Sequence, residues 1–226
     1  MIPAMMQGAH PIIDWSAVRT LFLDMDGTLL DLHFDNHFWI EHVPLCWGEK
    51  HGFDLETAKA ELHPRFQAVE GTLNWYCVDH WSAELEMDIL ELKRDLLHLI
   101  RMLPDVPEFL RYVRSLGKRV VLLTNAHGAV LELKMELTEL SGYFDALISS
   151  HQLGIPKEGP GFWEALRAIE PFEYPHAALL DDSRRVLEAA RGAGIGQVVA
   201  MRRPDSRYPP RDMPGFPAVT RLSELI

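Results

Sequence analysis

Residues 21–31 read Leu21-Phe22-Leu23-Asp24-Met25-Asp26-Gly27-Thr28-Leu29-Leu30-Asp31. A short apolar run ends in two carboxylates one residue apart, followed by Gly-Thr. This pattern places Asp24 and Asp26 where a buried strand meets a loop. Open parallel sheets bind ligands outside the carboxyl ends of their strands. Two close carboxylates repel one another unless a cation or a shared proton relieves them. The simplest relief is a hard divalent ion such as Mg²⁺, which takes one or two carboxylates together with substrate phosphate.

Working outward, five segments of β type stand out, at residues 21–24, 120–124, 146–149, 177–181 and 197–201. Continuous apolar runs of this length suit strands covered on both faces. Helical patterns at residues 106–116, 130–140, 162–169 and 183–192 lie between them, the first closed by Gly117 and the second by Gly142. Strands alternating with helices predict an α/β fold, a Rossmann-like parallel sheet with right-handed crossovers. The gap between the first two strands is too long for one crossover. It carries helical spacing: Phe38, Val43 and Trp47; Leu55, Ala58 and Leu62; Leu92, Leu96 and Leu99. Asp54 and Asp88 suit N-caps, and Pro64 is expected to kink or break its helix. Residues 33–103 therefore read as an inserted all-helical cap domain, and residues 1–32 and 104–226 as the core. Pro204 to Pro217 reads as an irregular loop over that core.

The remaining chemistry also falls at strand ends. Thr124-Asn125 offers a hydroxyl and a backbone N–H to a phosphoryl oxygen. Lys157, after the third strand, can neutralise a phosphoryl group and a nucleophile beside it. Asp181-Asp182-Ser183 closes the fourth strand with carboxylates that can complete a metal site.

Asp-x-Asp, Thr, Lys and Asp-Asp, in this order and each at a strand end, resemble the four motifs of the haloacid dehalogenase-like hydrolases. That resemblance implies Asp24 as nucleophile, forming an aspartyl-phosphate. It implies Asp26 as the acid that protonates the leaving oxygen and the base that then activates water. Mg²⁺ would be held by the Asp24 carboxylate, the Asp26 backbone carbonyl and Asp182, with Asp181 acting through water. Thr124, Asn125 and Lys157 would hold the phosphoryl oxygens. The stretches 34–39 and 72–77, with Trp81, are similar to the caps of purine 5′-nucleotidases in this family. A purine nucleoside 5′-monophosphate such as GMP or IMP is then the implied substrate. Asn74, Trp75 and Tyr76 are candidates for reading the base, with cap core as their plainer role. A sugar phosphate or phosphoglycolate is the alternative substrate. A non-catalytic binding protein of this fold would be expected to have lost Asp24, Asp26 or Lys157, and all three are present.

Composition limits the remaining classes. The chain has 226 residues, 47% hydrophobic and 24% charged, with a net charge of −11. That balance disfavours broad contact with nucleic acid or anionic membrane. Two cysteines, Cys46 and Cys77, cannot build a disulfide framework and read as small buried hydrophobes. With no apparent signal peptide in the first fifteen residues and no apolar run of membrane length, the expectation is a cytoplasmic monomer or weak homodimer. The segment before about Asp14 is expected to stay clear of the site. Of eleven histidines, none is read as part of a His-x₃-His pair with a nearby Cys or carboxylate partner at zinc spacing. His33, His37 and His42 read as surface or cap-interface residues, and His127 as the one candidate for lining the site. Asp31 and Asp35 read as solvated or capping carboxylates, and Glu158 as the group that orients Lys157.

Overall fold

The computed structural model describes residues 11–226. Six parallel strands form one sheet in the order β3-β2-β1-β4-β5-β6. They are β1 Thr20–Leu23, β2 Arg119–Thr124, β3 Ala146–Ser149, β4 Ala177–Asp181, β5 Gln197–Met201 and β6 Ala218–Val219. All five expected strands are present. β6 was not expected, because two residues after a proline-rich stretch carry no readable period. Asp24 lies one residue beyond β1, and its N–H still donates to the Leu180 carbonyl at 3.0 Å.

Side chains alternate between the two faces of the sheet, as the strand repeat requires. Leu21, Leu23, Val120, Leu122, Ala178 and Leu180 face one buried cluster. Phe22, Val121, Leu123, Ala177, Leu179 and Val198 face the other. Both faces are covered, so the strands read as continuous apolar runs.

Nine α-helices complete the described chain: α1 His33–His37, α2 Val43–His51, α3 Leu55–Val69, α4 Val78–Leu85, α5 Ile89–Arg94, α6 Val106–Ser115, α7 Gly128–Thr138, α8 Phe162–Ile169 and α9 Arg184–Ala193. α6 and α7 bury Phe109, Leu110, Val130 and Leu131 on the first face. α8 and α9 bury Phe162, Leu166, Val186 and Leu187 on the second.

α1 to α5 all lie between β1 and β2, and a π-helical turn at Phe38–His42 joins α1 to α2. Their buried side chains, including Phe34, Phe38, Trp47, Leu62, Trp81 and Ile89, join the first-face cluster. The chain leaves and re-enters the sheet region side by side. Asp31 N–H donates to the Arg101 carbonyl at 2.9 Å, and Leu103 N–H donates to Leu29 at 2.9 Å.

Two local expectations need correction. α3 runs unbroken through Pro64. Asp54 caps its start through Thr57 N–H at 2.8 Å. Its buried face, Ala58 and Leu62, packs while Pro64 faces solvent, where water can serve the carbonyl that lost its donor. α7 ends at Thr138, not at Gly142: Glu139 takes the left-handed conformation (φ 55°) and a 3₁₀ turn follows. The expected detachment of the N-terminal segment concerns mostly residues 1–10, which lie outside the described residues. At its edge, Asp14 N–H bonds the Gln197 side chain at 2.8 Å, at the start of β5 and so at the far end of the sheet from Asp24.

Candidate active site

The loop after β1 can turn so tightly only because residue 27 lacks a side chain. Gly27 has φ 89°, and a Cβ there would stand 2.8 Å from Pro204 Cβ and 2.9 Å from Asp182 Cγ. The glycine both frees the backbone and lets the β1 loop close against the β4 carboxylates.

Two buried lysine–carboxylate groups result. In the first, Lys157 Nζ lies 2.6 Å from Asp24 Oδ1 and 2.7 Å from Asp181 Oδ2, and donates to the Leu123 carbonyl at 3.1 Å. Asp181 Oδ1 accepts the Ser183 N–H at 2.8 Å, so both of its oxygens are engaged. Asp182 Oδ2 accepts from Arg211 at 2.9 Å, and Arg211 also reaches the Asp182 carbonyl. Asp24 Oδ2 is buried with no partner.

Burial pushes Asp24 and Asp181 up to about 6, against the pull of Lys157. Asp182 rises to about 7 through burial and the charge of Asp24. Lys157 moves up despite burial, because Asp181 and Asp24 outweigh it.

Asp24, Asp181 and Asp182 each offer an oxygen within 4.8 Å of the others. Three carboxylates, one of them with an orphaned buried oxygen, fit a hard divalent cation with oxygen ligands.

In the second group Lys134 Nζ lies 2.7 Å from Asp26 Oδ1 and 2.6 Å from Asp35 Oδ2. Lys93 adds a contact to Asp35 Oδ1 at 3.2 Å and sits over the Phe38 ring, 4.0 Å from its centroid. Burial pushes Asp26 up to about 6 against Lys134. Asp35 is held below the usual range, because Lys134 and Lys93 outweigh its burial. Asp35 is therefore neither solvated nor a cap. Asp31 does cap, accepting from His33 N–H at 3.1 Å and from Ser206 N–H at 3.0 Å.

Sequence reasoning missed Lys134, Lys93, Asp35 and Arg211. A signal existed for the first two. Lys134 follows buried Val130 and Leu131 at helical spacing, and Lys93 follows buried Ile89. A lysine on an apolar stripe asks for a partner.

The next part of the site is built from the β2 end. Thr124 Oγ1 accepts the Ala126 N–H at 3.0 Å and keeps its own proton to donate. Asn125 Oδ1 accepts the Lys157 N–H at 2.9 Å, and Asn125 Nδ2 donates to Glu158 Oε2 at 2.8 Å. The Tyr76 hydroxyl donates to Glu158 Oε1 at 3.0 Å. Glu158 thus holds Asn125 and Tyr76, and it touches Lys157 only through Asn125. The lysine head itself is held by two carboxylates and a carbonyl. The amino end of α7 opens just past this point and favours an anion.

A cleft of about 560 Å³ collects Asp24, Asp26, Thr124, Asn125, Lys157, Asp181 and Asp182. Its other wall comes from the helical stretch: Trp39, Ile40, Phe66, Trp75 and Tyr76. His127 lines it as well; His33, His37 and His42 do not. Trp75 is 36% exposed, whereas Trp81 is 1% exposed and packs on Phe66, centroids 4.9 Å apart. Asn74 is exposed and is not brought to the cleft. Both cysteines are half-buried. No described helix is long and apolar enough to cross a membrane.

A family model described as haloacid dehalogenase-like hydrolase matches residues 18–194. The chain is 37% identical over 217 residues to the GMP/IMP nucleotidase YrfG of Escherichia coli, covering 96% of this chain and 98% of that protein. It is 29% identical over 188 residues to a phosphoglycolate phosphatase of Nitrosospira multiformis, 78% of this chain and 80% of that one. A haloacid dehalogenase-like phosphatase from Thermococcus onnurineus superposes with a TM-score of 0.76 at 21% identity, over 92% and 96% of the two chains.

Proposed function

The chain belongs to the haloacid dehalogenase-like hydrolases, and from that membership we propose that it hydrolyses purine nucleoside 5′-monophosphates to nucleoside and phosphate. One observation carries the reading beyond the family. The strand-end carboxylates and an aromatic wall from the helical stretch face one cleft of about 560 Å³. That volume lies in the range of small-molecule sites, and a flat base can stack on such a wall. The likeness to a nucleotidase supports the same substrate class.

In this reading residues 33–103 form the cap and residues 1–32 and 104–226 the core. Asp24 attacks phosphorus, and the bond to the leaving 5′-oxygen breaks. Asp26, pushed up to about 6 by burial, holds the proton that the leaving oxygen takes. It then accepts a proton from the water that cleaves the aspartyl-phosphate. Thr124, Asn125 and Lys157 hold the phosphoryl oxygens while charge moves from substrate to leaving group.

The residues to hold Mg²⁺ are Asp24, the Asp26 carbonyl and Asp182. When bound, Mg²⁺ offsets the repulsion between Asp24 and the incoming anion. Asp182 is the stronger candidate than Asp181, because both Asp181 oxygens already have protein partners. Trp75 and Tyr76 are the residues for the base. Asn74, exposed and outside the cleft, has the weaker claim.

The test is phosphate release from a panel of nucleotides, sugar phosphates, phosphoglycolate and an aryl phosphate, with and without Mg²⁺. GMP and IMP should lead the panel, with no turnover in chelator. Trp75→Ala should lower kcat/KM for GMP by about tenfold, or ~1.4 kcal/mol, and change the aryl phosphate much less. Asn74→Ala should stay near wild type on both. A lead for sugar phosphates or phosphoglycolate would replace the nucleotidase reading with the alternative one.

A further inference from the structure

Cys77, His127 and His151 lie far apart in sequence and carry no zinc-type spacing. The fold brings one ligand atom from each within 4.8 Å of the others. Cys77 sits just before α4 in the helical stretch, where its sulfur accepts the His80 N–H at 3.4 Å. His127 follows β2 and His151 follows β3. The two imidazoles meet edge to face, with centroids 4.9 Å apart.

His151 is presented as a ligand. The Asn125 backbone is among the polar groups beside its ring, and its Nε2 is buried with no partner. Burial, helped by His127, pushes His151 down to about 4, so the ring is neutral near pH 7. On the outer side, Asp79 Oδ2 lies 3.5 Å from His127 Nε2 and adds negative charge. His127 Nδ1 receives only a long contact from the Ala129 N–H, at 3.4 Å.

We propose that Cys77, His127 and His151 form a second metal site that takes a thiophilic divalent cation, Zn²⁺ in particular, and ties the helical stretch to the sheet beside the cleft. One sulfur and two imidazole nitrogens suit zinc and are a poor set for Mg²⁺. The Asp24–Asp181–Asp182 group is its opposite, with oxygen donors only. Closing the three donors onto an ion needs inward shifts on the order of 1 Å, since tetrahedral zinc bonds are ~2.0–2.3 Å long. Because the ligands come from both sides of the cleft mouth, the bound ion should restrain the helical stretch and stabilise the fold.

The test uses the full chain in saturating Mg²⁺, so that the carboxylates are occupied, and titrates Co²⁺ as an optical stand-in. The expected result is a thiolate-to-cobalt charge-transfer band that saturates at one equivalent and is bleached by Zn²⁺. Cys77→Ser should abolish the band, and His151→Gln should weaken Co²⁺ binding at least tenfold. Cys46→Ser should leave it intact. Zn²⁺ should raise the Tm of the wild type and not of Cys77→Ser. Circular dichroism and Mg²⁺-supported turnover report whether the variants are folded, and the wild-type titration stands without them. No band in the wild type, or a band that survives Cys77→Ser, overturns the site.

Discussion

Two lysines do the same thing at two places, and the consequences differ. Lys157 stands between Asp24 and Asp181, and Lys134 stands between Asp26 and Asp35. All four contacts fall between 2.6 and 2.7 Å. The Lys134 group is complete: Lys93 supplies a second ammonium, so two carboxylates face two cations. The Lys157 group is not. Asp182 adds a third carboxylate, Arg211 answers it only at the rim, and Asp24 Oδ2 is left with no partner. Buried charge without a partner is costly. An incomplete group is therefore a place for a cation and an incoming anion, whereas in a complete one the neighbouring charges set how readily a carboxyl gains or loses its proton. The difference agrees with the proposed roles, covalent chemistry at Asp24 and proton transfer at Asp26.

The largest effect expected from this contrast is at Asp24, the proposed nucleophile. Asp24→Asn keeps the shape and removes the attacking oxygen anion, so phosphate release should fall by about 10³-fold or more. Retention of activity within tenfold in a folded protein would break the contrast at its root. Next in size is the division between neighbouring carboxylates. Asp182→Ala should raise the Mg²⁺ concentration for half-maximal rate by about tenfold or more, ~1.4 kcal/mol. Asp181→Ala should act more on Tm than on the Mg²⁺ requirement, because its oxygens hold Lys157 and Ser183 N–H. The opposite ranking in a Mg²⁺ titration would exchange the two roles.

The smallest effect is a linkage between pH and stability. Asp24, Asp181 and Asp182 titrate near 6, 6 and 7 in the folded metal-free protein, above the ordinary carboxyl value of the unfolded chain. The folded state thus binds more protons in that window. Its stability is present at low pH and is lost as pH rises through the folded values. The Tm without metal should fall between about pH 5.5 and pH 8, at about 2–4 °C per kcal/mol for a chain of this size. Mg²⁺ competes with those protons, so it should raise Tm more at the higher pH. Asp26 contributes a part that Mg²⁺ leaves in place, because Lys134 and not a metal ion faces it. A metal-free Tm that climbs with pH across this range would contradict the raised carboxyls.

The sequence showed the Lys157 group and hid the Lys134 group, for a physical reason. Asp24, Thr124, Lys157 and Asp181 each sit at or just beyond the carboxyl end of an apolar strand or in the loop that follows it, so period and position found them together. Lys134 comes from the middle of α7, Asp35 from α1 and Lys93 from α5. Only the packing of the helical stretch against the sheet joins them, and no local pattern encodes that. The same holds for Arg211, inside a proline-rich loop, and for Cys77 meeting His127 and His151. Pro64 misled because a local rule against proline in helices was outweighed by the capping and packing of the rest of α3.

The assignment of covalent chemistry to Asp24 rather than Asp26 can be read directly. Enzyme turning over substrate is quenched with borohydride, which reduces an aspartyl-phosphate to homoserine, and the peptide spanning residues 21–31 is sequenced by mass spectrometry. The account predicts homoserine at position 24 and unchanged aspartate at position 26, with no conversion in Asp24→Asn. Homoserine at position 26, or no conversion at either position during turnover, would contradict it.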